Sequence, residues 1–349
     1  STTGSGGAIY TSNCSAMIAR STMRGNSALT FSRTGGALDI SNSSTSPFSL
    51  QQCTISGNSC ASAGGGIHVS ASSAVSLQHC TITGNTVTLG NGGGGGVRSI
   101  GSQISYTANI IAANTDRSAV FPPSDDVSDN SGTSLGYNII GNNTGSSSRF
   151  TQTGDLAGTN VSPLDAGLAP LSLNVGATPT HPLYPHSPAI DHVPTSSFTT
   201  DQRNQARPSA AAYDAGAVEI QKQTYEDWAA QKLSAYPVNQ RDRNDDPDHD
   251  GQLNLLEFYQ NSDPTAFNES YVALDGPPNS RRFYYTISNT ADLSGISMEI
   301  QKSENLVNWS AISQSNATVE LANAARTRYS VAEGSGTEKR FFRMLVTDP

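Results

Sequence analysis

The sequence Gly35-Gly36-Ala37-Leu38 is one copy of a short element that decides the fold of this chain. Equivalent copies begin at Gly6, Gly64 and Gly94, so successive copies are 29, 29 and 30 residues apart. A second element follows each copy and carries a recurrent asparagine, which gives the set Asn26, Asn58, Asn85 and Asn114. Two signals that stay in phase over four periods indicate an internal repeat.

The residues inside each repeat favour short strands over helices. They are rich in Ser, Thr and Gly, and stretches such as Ile67-His68-Val69 alternate apolar and polar side chains. Three short strands joined by turns account for one repeat, and equivalent strands of successive coils would pair in parallel about 4.8 Å apart. The sequence therefore predicts a parallel β-helix, with glycine at corners, the residue after Gly-Gly directed inward and the asparagines stacked at another corner.

The repeats resemble those of bacterial polymorphic outer-membrane and autotransporter-like β-helix proteins. The stretch after them is similar to the choice-of-anchor Q β-helix proteins, which occur on large secreted surface polypeptides. The residues that carry this second similarity are Leu135–Gly145, Gly154–Leu156, Pro179–His181, Ser187–Asp191, Thr200–Arg203, Arg207-Pro208 and Asp214–Glu219. Asn204 and His192-Val193 depart from that family's usual residues, which affects local turns. The resemblance implies a right-handed parallel β-helix in a surface or adhesive setting, with no defined reaction.

Charge and aromatic content change near residue 219 and indicate a domain boundary. Residues 1–218 carry a net charge of −2, whereas residues 219–349 carry −7 and both tryptophans, Trp228 and Trp309. We divide the chain into β-helix coils (1–160), terminal coils and a capping segment over the open end (161–220), a calcium-binding helical linker (221–270) and a small immunoglobulin-like β-sandwich (271–349). Because Ser1 lies just before a full repeat, we expect either further chain upstream or another molecule on that edge.

Composition argues against two classes of partner. The formal net charge is −9 and 14% of residues are charged, whereas nucleic-acid binding needs clustered cations. The sequence has no run of about 18 apolar residues, so we expect no membrane span.

The cysteines lie in the repeats. Cys53 and Cys80 occupy equivalent positions and are expected to be inward-facing thiols on adjacent coils, with a disulfide between them as the alternative. Cys14 and Cys60 match no repeat position, so we expect no simple stack for them.

Acidic residues are too sparse on the regular coils for polysaccharide chemistry. Asp39 is the single carboxylate of residues 1–115, whereas such chemistry needs paired carboxylates in one groove. The other candidates are assigned structural roles: a solvated loop for Asp125, Asp126 and Asp129, surface positions for His68 and His79, and an Arg–carboxylate network for Asp201, Arg203 and Asp214. We therefore expect that the protein is not an enzyme.

Residues 246–257 contain a calcium-loop motif. They read Asp-x-Asp-x-Asp-Gly, then five residues and a Glu, and Ca²⁺ prefers about six to eight oxygen ligands. The expected ligands are Asp246, Asp248, Asp250, the backbone carbonyl of Gln252, Asn254 directly or through water, and Glu257. Gly251 allows the sharp turn.

The setting of this loop favours a structural ion over a calcium switch. It is a single loop, and the chain has four methionines, too few for a methionine-rich groove. Helices are expected over Tyr225–Ala235 and from Leu255 onwards. The segment from Trp228 to Pro264 resembles calcium-binding linkers of secreted proteins from Verrucomicrobia-like bacteria, which implies a secreted, calcium-replete setting.

The last part of the chain alternates as strands do. The strand-like runs are Phe283–Ile287, Ile296–Ile300, Thr318–Leu321 and Phe341–Val346, and they predict a small β-sandwich. Leu306–Trp309 and Arg340–Arg343 resemble a small domain that ends many of the same secreted proteins. Trp309 is expected in a core or at an edge, with a carbohydrate platform as the alternative.

These observations predict a non-enzymatic structural or adhesive protein, extracellular or on a bacterial cell surface. Its expected partners are copies of itself, joined head to tail into a filament through the open β-helix end, or surface glycans. The alternative is a carbohydrate-active enzyme or glycan-binding module on a β-helix scaffold. A third hypothesis is a fragment of a giant adhesin whose function lies upstream.

Overall fold

The chain folds as two compact units, residues 1–221 and residues 222–349. A computed structural model describes residues 5–42, 45–70, 73–89, 93–117, 125–146, 148–173, 175–184, 186–209, 212–267, 272–275, 281–291, 293, 296–312, 317–322, 326–332 and 341–347. The first unit is a parallel β-solenoid with a long flanking segment, and the second combines two helices with antiparallel sheets. The division into four segments stays a prediction.

Four successive coils build the solenoid, and each contains four strands. The first has β1 (Ile9–Ser12), β2 (Ala16–Ala19), β3 (Thr22–Arg24) and β4 (Ser27–Ala28). The second has β5 (Leu38–Ser41), β6 (Phe48–Gln51), β7 (Thr54–Ser56) and β8 (Ser59–Cys60). The third has β9 (Ile67–Ser70), β10 (Ala74–Gln78), β11 (Thr81–Thr83) and β12 (Thr86–Val87). The fourth has β13 (Val97–Ser99), β14 (Gln103–Thr107), β15 (Ile110–Ala112) and β16 (Thr115–Asp116).

A partial coil completes the stack with β17 (Val127–Ser128), β18 (Thr133–Ser134), β19 (Ile139–Ile140) and then β20 (Leu156–Ala157). Equivalent strands form four sheets: β1-β5-β9-β13-β17, β2-β6-β10-β14-β18, β3-β7-β11-β15-β19-β20 and β4-β8-β12-β16. All pairings along these stacks are parallel, as in Leu38 beside Ile67. The predicted parallel β-helix is confirmed, but the expectation of three strands per coil is wrong. The fourth strand has two residues, too few to show alternation in the sequence, and it forms because neighbouring coils supply its hydrogen-bond partners.

The Gly-Gly doublet is required by the distance between coils. Gly35 has φ +67°, a left-handed conformation that glycine adopts without steric cost. A Cβ on Gly36 would lie 1.9 Å from the carbonyl oxygen of Gly65 in the next coil. The first glycine therefore makes the turn, and the second lets two coils approach to strand-pairing distance.

Apolar side chains from the first three sheets fill the solenoid interior. Leu38, Leu50 and Ile55 are each fully buried in one cluster that continues from coil to coil. Cys53 and Cys80 belong to this cluster, one coil apart, and both are free thiols. Cys60 is also buried, in a small column with Ala28 and Val87.

The recurrent asparagines form a hydrogen-bonded ladder at one corner, as expected. The amide of Asn58 donates to Oδ1 of Asn85 at 2.8 Å, and Asn85 donates to Asn114 at the same distance. Asn58, Asn85 and Asn114 also donate to a backbone carbonyl of the preceding coil, as Asn85 does to Ile55 at 2.9 Å. Every amide group of a central rung is therefore satisfied although it is buried.

The segment after residue 160 lies along the flank of the third sheet. Our expectation of terminal coils and a cap over the open end of the solenoid stays a prediction. Along the flank, Gln202 accepts from Thr54 at 2.6 Å, Ala217 donates its backbone N–H to Thr81 at 3.0 Å, and Pro179 accepts from Thr22 at 2.6 Å. These threonines belong to three successive coils, and their hydroxyl groups point outward. The flanking segment forms hydrogen bonds with these hydroxyls although it does not pair with the sheet as a regular strand.

The second unit begins with two short helices, α1 (Tyr225–Lys232) and α2 (Asn254–Gln260). The side chain of Thr224 accepts from the backbone N–H of Asp227 and so caps α1. Trp228 and Phe258 pack together, with ring centroids 5.6 Å apart. The two helices therefore share one small core, and the loop between them contains the calcium motif.

The described residues of the second unit contain seven strands after the helices: β21 (Ala273–Asp275), β22 (Arg282–Ser288), β23 (Ser297–Ser303), β24 (Ser310–Ala311), β25 (Thr318–Ala322), β26 (Arg326–Ala332) and β27 (Phe341–Thr347). They form two antiparallel sheets, β21-β22-β26-β25 and β24-β23-β27. Phe283 of the first sheet stacks on Phe342 of the second, with centroids 5.8 Å apart. The immunoglobulin-like layout stays a prediction. Neither helix of the described chain has the length and hydropathy needed to span a bilayer.

Candidate metal centre

Three aspartates converge in the loop before α2. One carboxylate oxygen from each of Asp246, Asp248 and Asp250 lies within 4.8 Å of the others. Within the described part of the chain, no other group of three Asp, Glu, His or Cys side chains meets this criterion. The motif thus places three potential oxygen ligands together.

The backbone of this loop curls around the carboxylates. His249 has φ +62° and Gly251 has φ +89°, so the chain turns sharply within three residues. The N–H of Asp250 donates to Oδ1 of Asp248 at 3.2 Å, and the N–H of Gly251 donates to Oδ2 of Asp246 at 3.0 Å. These bonds fix one oxygen of Asp246 and one oxygen of Asp248, and the second oxygen of each receives no such donor.

The remaining oxygens are buried without hydrogen-bond donors. This holds for Oδ1 of Asp246, Oδ2 of Asp248 and Oε2 of Glu257. Glu257 is fully buried on α2, and its other oxygen accepts from Ser262 Oγ at 3.2 Å. A buried carboxylate oxygen without a donor is costly, and a cation is the partner that would satisfy several of them at once.

Electrostatics at the loop indicate the same partner. Burial, followed by the charges of Asp248, Asp250 and Asp246, raises the pKa of Glu257 to about 8. Burial and neighbouring carboxylates also raise the pKa of Asp248. The aspartates therefore lie close enough to Glu257 to repel it, and the site as folded concentrates negative charge.

The two amide residues of the predicted ligand set have other contacts. Gln252 Nε2 donates to Oδ2 of Asp250 at 2.9 Å, which orients that carboxylate. Asn254 Nδ2 donates to the carbonyl of Asp242 at 2.8 Å and so ties the loop to the start of α2. The side-chain oxygens of both residues are buried without donors. Their role as ligands stays a prediction.

Sequence reasoning missed Ser262, which holds the carboxylate of Glu257 from the turn after α2. The motif ends at Glu257, so no spacing rule points to a serine five residues later. The hydroxyl of Ser262 can be placed beside Glu257 only when the end of α2 at Gln260 is known.

His79 was expected at the surface, and this is wrong. It is buried, and Arg207 Nη1 donates to its Nδ1 at 2.8 Å. Because Nδ1 accepts, Nε2 carries the hydrogen and donates to Ser196 Oγ at 3.0 Å. Burial, together with the charge of Arg207, lowers the pKa of His79 to about 3. His79 therefore does not act as a base toward Ser196.

His68 is also buried, contrary to expectation. Its Nδ1 lies 3.2 Å from Oδ1 of Asp39, the residue at the same position one coil earlier. Burial acts to raise the pKa of Asp39, but His68 and the hydroxyl of Thr34 lower it overall. The partner lies 29 residues away in sequence, so a local search for acidic neighbours misses it.

Asp126 and Asp129 were assigned to a solvated loop, and they are buried instead. Asp126 accepts from the backbone N–H of Asn142 at 2.6 Å as well as from Asn114. Asp129 accepts from the hydroxyl of Tyr106 at 2.8 Å. Both carboxylates serve the structure of the last coils, because their oxygens receive donors from that structure.

The predicted Arg–carboxylate network exists in the flanking segment. Arg203 Nη2 lies 2.7 Å from Asp201, and Arg207 Nε lies 2.9 Å from Glu219. Asp214 accepts from the backbone N–H groups of Asp191 and Ile220. Glu219 was missed as a member of this network. Its side chain and that of Arg207 are almost completely buried, which indicates a structural role.

Trp309 lies half-buried at the edge of its sheet, with the Arg343 guanidinium carbon 4.2 Å from the ring centre. Its indole N–H donates to the carbonyl of Leu306 at 3.2 Å. One ring face is therefore covered by a cation, in keeping with the edge position that we expected.

Comparison with known proteins identifies the repeat. Residues 52–70 match the Chlamydia polymorphic membrane protein repeat. This stretch includes both recurrent elements, Gly57-Asn58-Ser59 and Gly64-Gly65-Gly66-Ile67. No curated protein and no solved structure is significantly similar to the chain.

Proposed function

We propose that the protein is a non-enzymatic structural or adhesive component of a bacterial cell surface, with a calcium ion bound in its second unit. The observation that carries the proposal is the stack of four coils with a repeat of the polymorphic membrane protein type. By its name, that repeat occurs in a membrane protein. The solenoid coils carry few charged side chains, which suits contact with other surfaces better than it suits chemistry.

The state of the candidate catalytic groups supports a non-enzymatic role. The buried carboxylates of Asp126, Asp214 and Glu219 accept hydrogen bonds from backbone or side-chain N–H groups. A general acid or base needs to reach a substrate, and these groups are 1–2% exposed. The carbohydrate-active alternative would need accessible, convergent carboxylates on the coils.

Calcium would offset the charge of the loop before α2. Asp246, Asp248, Asp250 and Glu257 would hold the ion, because three of them carry a buried oxygen without a donor. The ion supplies positive charge and no reaction chemistry. Its binding would fix the loop against α2, and through Phe258 against Trp228.

We further propose that chains associate head to tail, with the edge of the first coil covered by a second copy. In the described part of the chain, β1, β2, β3 and β4 pair with the second coil only. Ile9, Tyr10 and Met17 on this coil are 36%, 57% and 64% exposed, whereas Leu38, which pairs with Ile9, is fully buried. Within the described residues these strands therefore have one edge without a strand partner, and such an edge with exposed apolar side chains readily adds another strand.

The test of association is light scattering of the full chain across a concentration series. Growth of particles with concentration supports association. Met17→Lys should suppress it, because a charged side chain on an edge strand disfavours the addition of another strand, and Gln152→Lys provides a matched exposed control. A monomer at all concentrations would contradict this part of the proposal. Binding of the same chain to a glycan array would favour the glycan alternative.

The test of the surface role is antibody labelling of intact and permeabilised source cells. Labelling of intact cells, with loss of the signal after protease treatment from outside, is the expected result. Signal only after permeabilisation would overturn the location. Release of reducing ends from a panel of polysaccharides by the purified chain would overturn the non-enzymatic role.

A further inference from the structure

A cleft of about 610 Å³ lies between the corner after the third sheet and the flanking segment of the first unit. The solenoid side contributes Ala112, Ala113 and Asn142, and the flanking segment contributes an apolar wall that includes Leu164, Leu168 and Pro170. The volume is that of a site for a small organic molecule. Nothing in the structural roles described above requires this opening.

Three carboxylates line the cleft. Asp126 lies at its base, Asp125 is half-buried beside it, and Asp165 projects from the opposite rim with 81% of its side chain exposed. No lysine or arginine lines the cleft in the described part of the chain. His186 Nε2 lies 3.6 Å from Asp165, outside the lining. The cleft is therefore acidic without a cation of its own.

His181 also lines the cleft, and its contacts keep it neutral. Its Nδ1 donates to the carbonyl of Ala169 at 2.7 Å, so Nε2 is left to accept from Ser56 Oγ at 2.9 Å. Burial lowers the pKa of His181. The histidine thus adds a polar surface to the cleft without balancing its carboxylates.

The carboxylate at the base is desolvated. Burial, and to a lesser degree the charge of Asp125, raises the pKa of Asp126 to about 6. At neutral pH the group is ionised in a place where ionisation is costly. A positive charge in the cleft would lower this cost, and the apolar wall would bury a hydrocarbon stem.

We infer that this cleft binds a small organic cation, namely a primary ammonium or guanidinium group on a short aliphatic chain. The charged end lies between Asp125 and Asp165, and the chain packs on Leu164, Leu168 and Pro170. The carboxylate oxygens of Asp125 already accept N–H groups, from the backbone of Asp116 and from Asn142. They are therefore held in place to receive a further donor.

The test is calorimetric titration of the full chain with cadaverine and agmatine, beside 1-pentanol and cellobiose as neutral probes. Saturable binding of the cations alone, weakened about tenfold in about 0.5 M salt, is expected. The peptide Gly-Gly-Lys-Gly-Gly distinguishes two possible sources of the ligand. If the peptide binds, the ligand is a side chain of a polypeptide, and if it does not bind, the ligand is a free amine. Equal binding of pentanol, or binding of cellobiose in place of the cations, would overturn the inference.

Variants at the rim locate the binding. Asp165→Asn keeps an oxygen for the backbone N–H of Gly167, which Asp165 accepts at 2.8 Å, and should weaken binding about threefold. Asp165→Lys should weaken it at least about tenfold, because it places a like charge beside the ligand. Gln152→Lys adds the same charge at an exposed position outside the cleft and should leave the affinity unchanged. Full affinity in Asp165→Lys, with an unchanged melting temperature, would contradict the assignment to this cleft.

Discussion

The side-chain amide of Asn114 donates to Oδ1 of Asp126 at 2.8 Å, so the ladder of one solenoid corner ends on a carboxylate. A second ladder, through Asn109 and Asn138, ends in the same way on Asp155 at 3.0 Å. Each asparagine both accepts and donates, whereas an ionised aspartate only accepts. An aspartate therefore suits the last rung, where the donors of the preceding rung need an acceptor and no further rung follows.

Asn85→Ala should destabilise the solenoid by about 4 kcal/mol, because it leaves buried groups of Asn58 and Ile55 without partners. The measurement is urea unfolding of the full chain. Asn26→Ala is the matched control, since Asn26 is half-buried at the first rung and donates its side chain only to Asn58. We expect a loss of about 1 kcal/mol or less there. Equal losses at both positions would show that the ladder contributes no more inside the stack than at its edge.

Gly36→Ala should prevent folding of the solenoid or cost more than about 3 kcal/mol, because its Cβ would overlap the carbonyl oxygen of Gly65. Gly25→Ala is the control. Gly25 has φ +63° but open space around the added Cβ, so only the backbone cost of about 1–2 kcal/mol applies. Circular dichroism during thermal melting separates the two. A Gly36→Ala protein as stable as Gly25→Ala would contradict the close approach of the coils.

Arg207→Met should cost about 3–5 kcal/mol, because it leaves the buried carboxylate of Glu219 uncompensated beside Asp214. The double variant with Glu219→Gln should recover part of this loss, since the unpaired charge is then absent. Arg24→Met, at an exposed position, serves as the control with little change expected. If the double variant proved no more stable than the single one, the charge would not be the cause.

Protonation of Asp126 and Asp214 should stabilise the first unit as pH falls from about 7 to about 4.5, whereas His79, whose pKa burial lowers to about 3, contributes in the opposite direction. Burial raises the pKa of Asp126 to about 6, and burial with the charge of Glu219 raises that of Asp214 to about 7. At these two carboxylates the native state binds protons more tightly than the unfolded state, so their contribution to stability falls as pH rises. Below about pH 4 Asp39, whose pKa is lowered in the native state, contributes in the opposite direction.

Melting temperatures across this pH range check the contribution of Asp126. Asp126→Asn should lack the stabilisation that this group gives the wild type as pH falls from about 6 to about 4, because the titrating group is gone. Asp165→Asn, at an exposed carboxylate, should follow the wild-type pH profile. Parallel pH profiles of Asp126→Asn and the wild type would contradict the prediction.

Calcium should raise the melting temperature of the second unit, followed through the fluorescence of Trp228 and Trp309, by an amount that grows with the free ion concentration. At about a hundred times the dissociation constant the stabilisation is about 2.7 kcal/mol. Glu257→Gln should abolish this response. Without calcium the same variant should be at least as stable as the wild type, because the neutral amide avoids the cost of ionising a buried carboxyl group beside the aspartates.

Asp263→Asn is the control for calcium binding, since Asp263 is exposed just after α2 and an asparagine retains the oxygen that accepts from Thr265. Its calcium response should equal that of the wild type. A melt that is the same in calcium and in EDTA would leave the orphaned oxygens of Asp246 and Asp248 without their proposed partner.

The sequence by itself determined the solenoid, the inward face of its strands and the corner asparagines. Each of these follows from residues that recur at one period, and in a parallel stack the period sets which residues become neighbours. It also identified the loop from Asp246 to Glu257, because ligand spacing within a single turn is a local property. The mutual closeness of Asp246, Asp248 and Asp250 agrees with that reading.

Only the tertiary structure decided what pairs across coils and along the flank. His68 meets Asp39 one coil away, and Arg207 meets His79 across 128 residues of sequence. Local sequence patterns also do not predict the fourth strand of each coil, the course of the flanking segment or the acidic cleft. These features arise where polar groups of one part of the chain form hydrogen bonds or ion pairs with another part. Which groups meet depends on their distance in space, and the spacing of residues in the sequence does not give that distance.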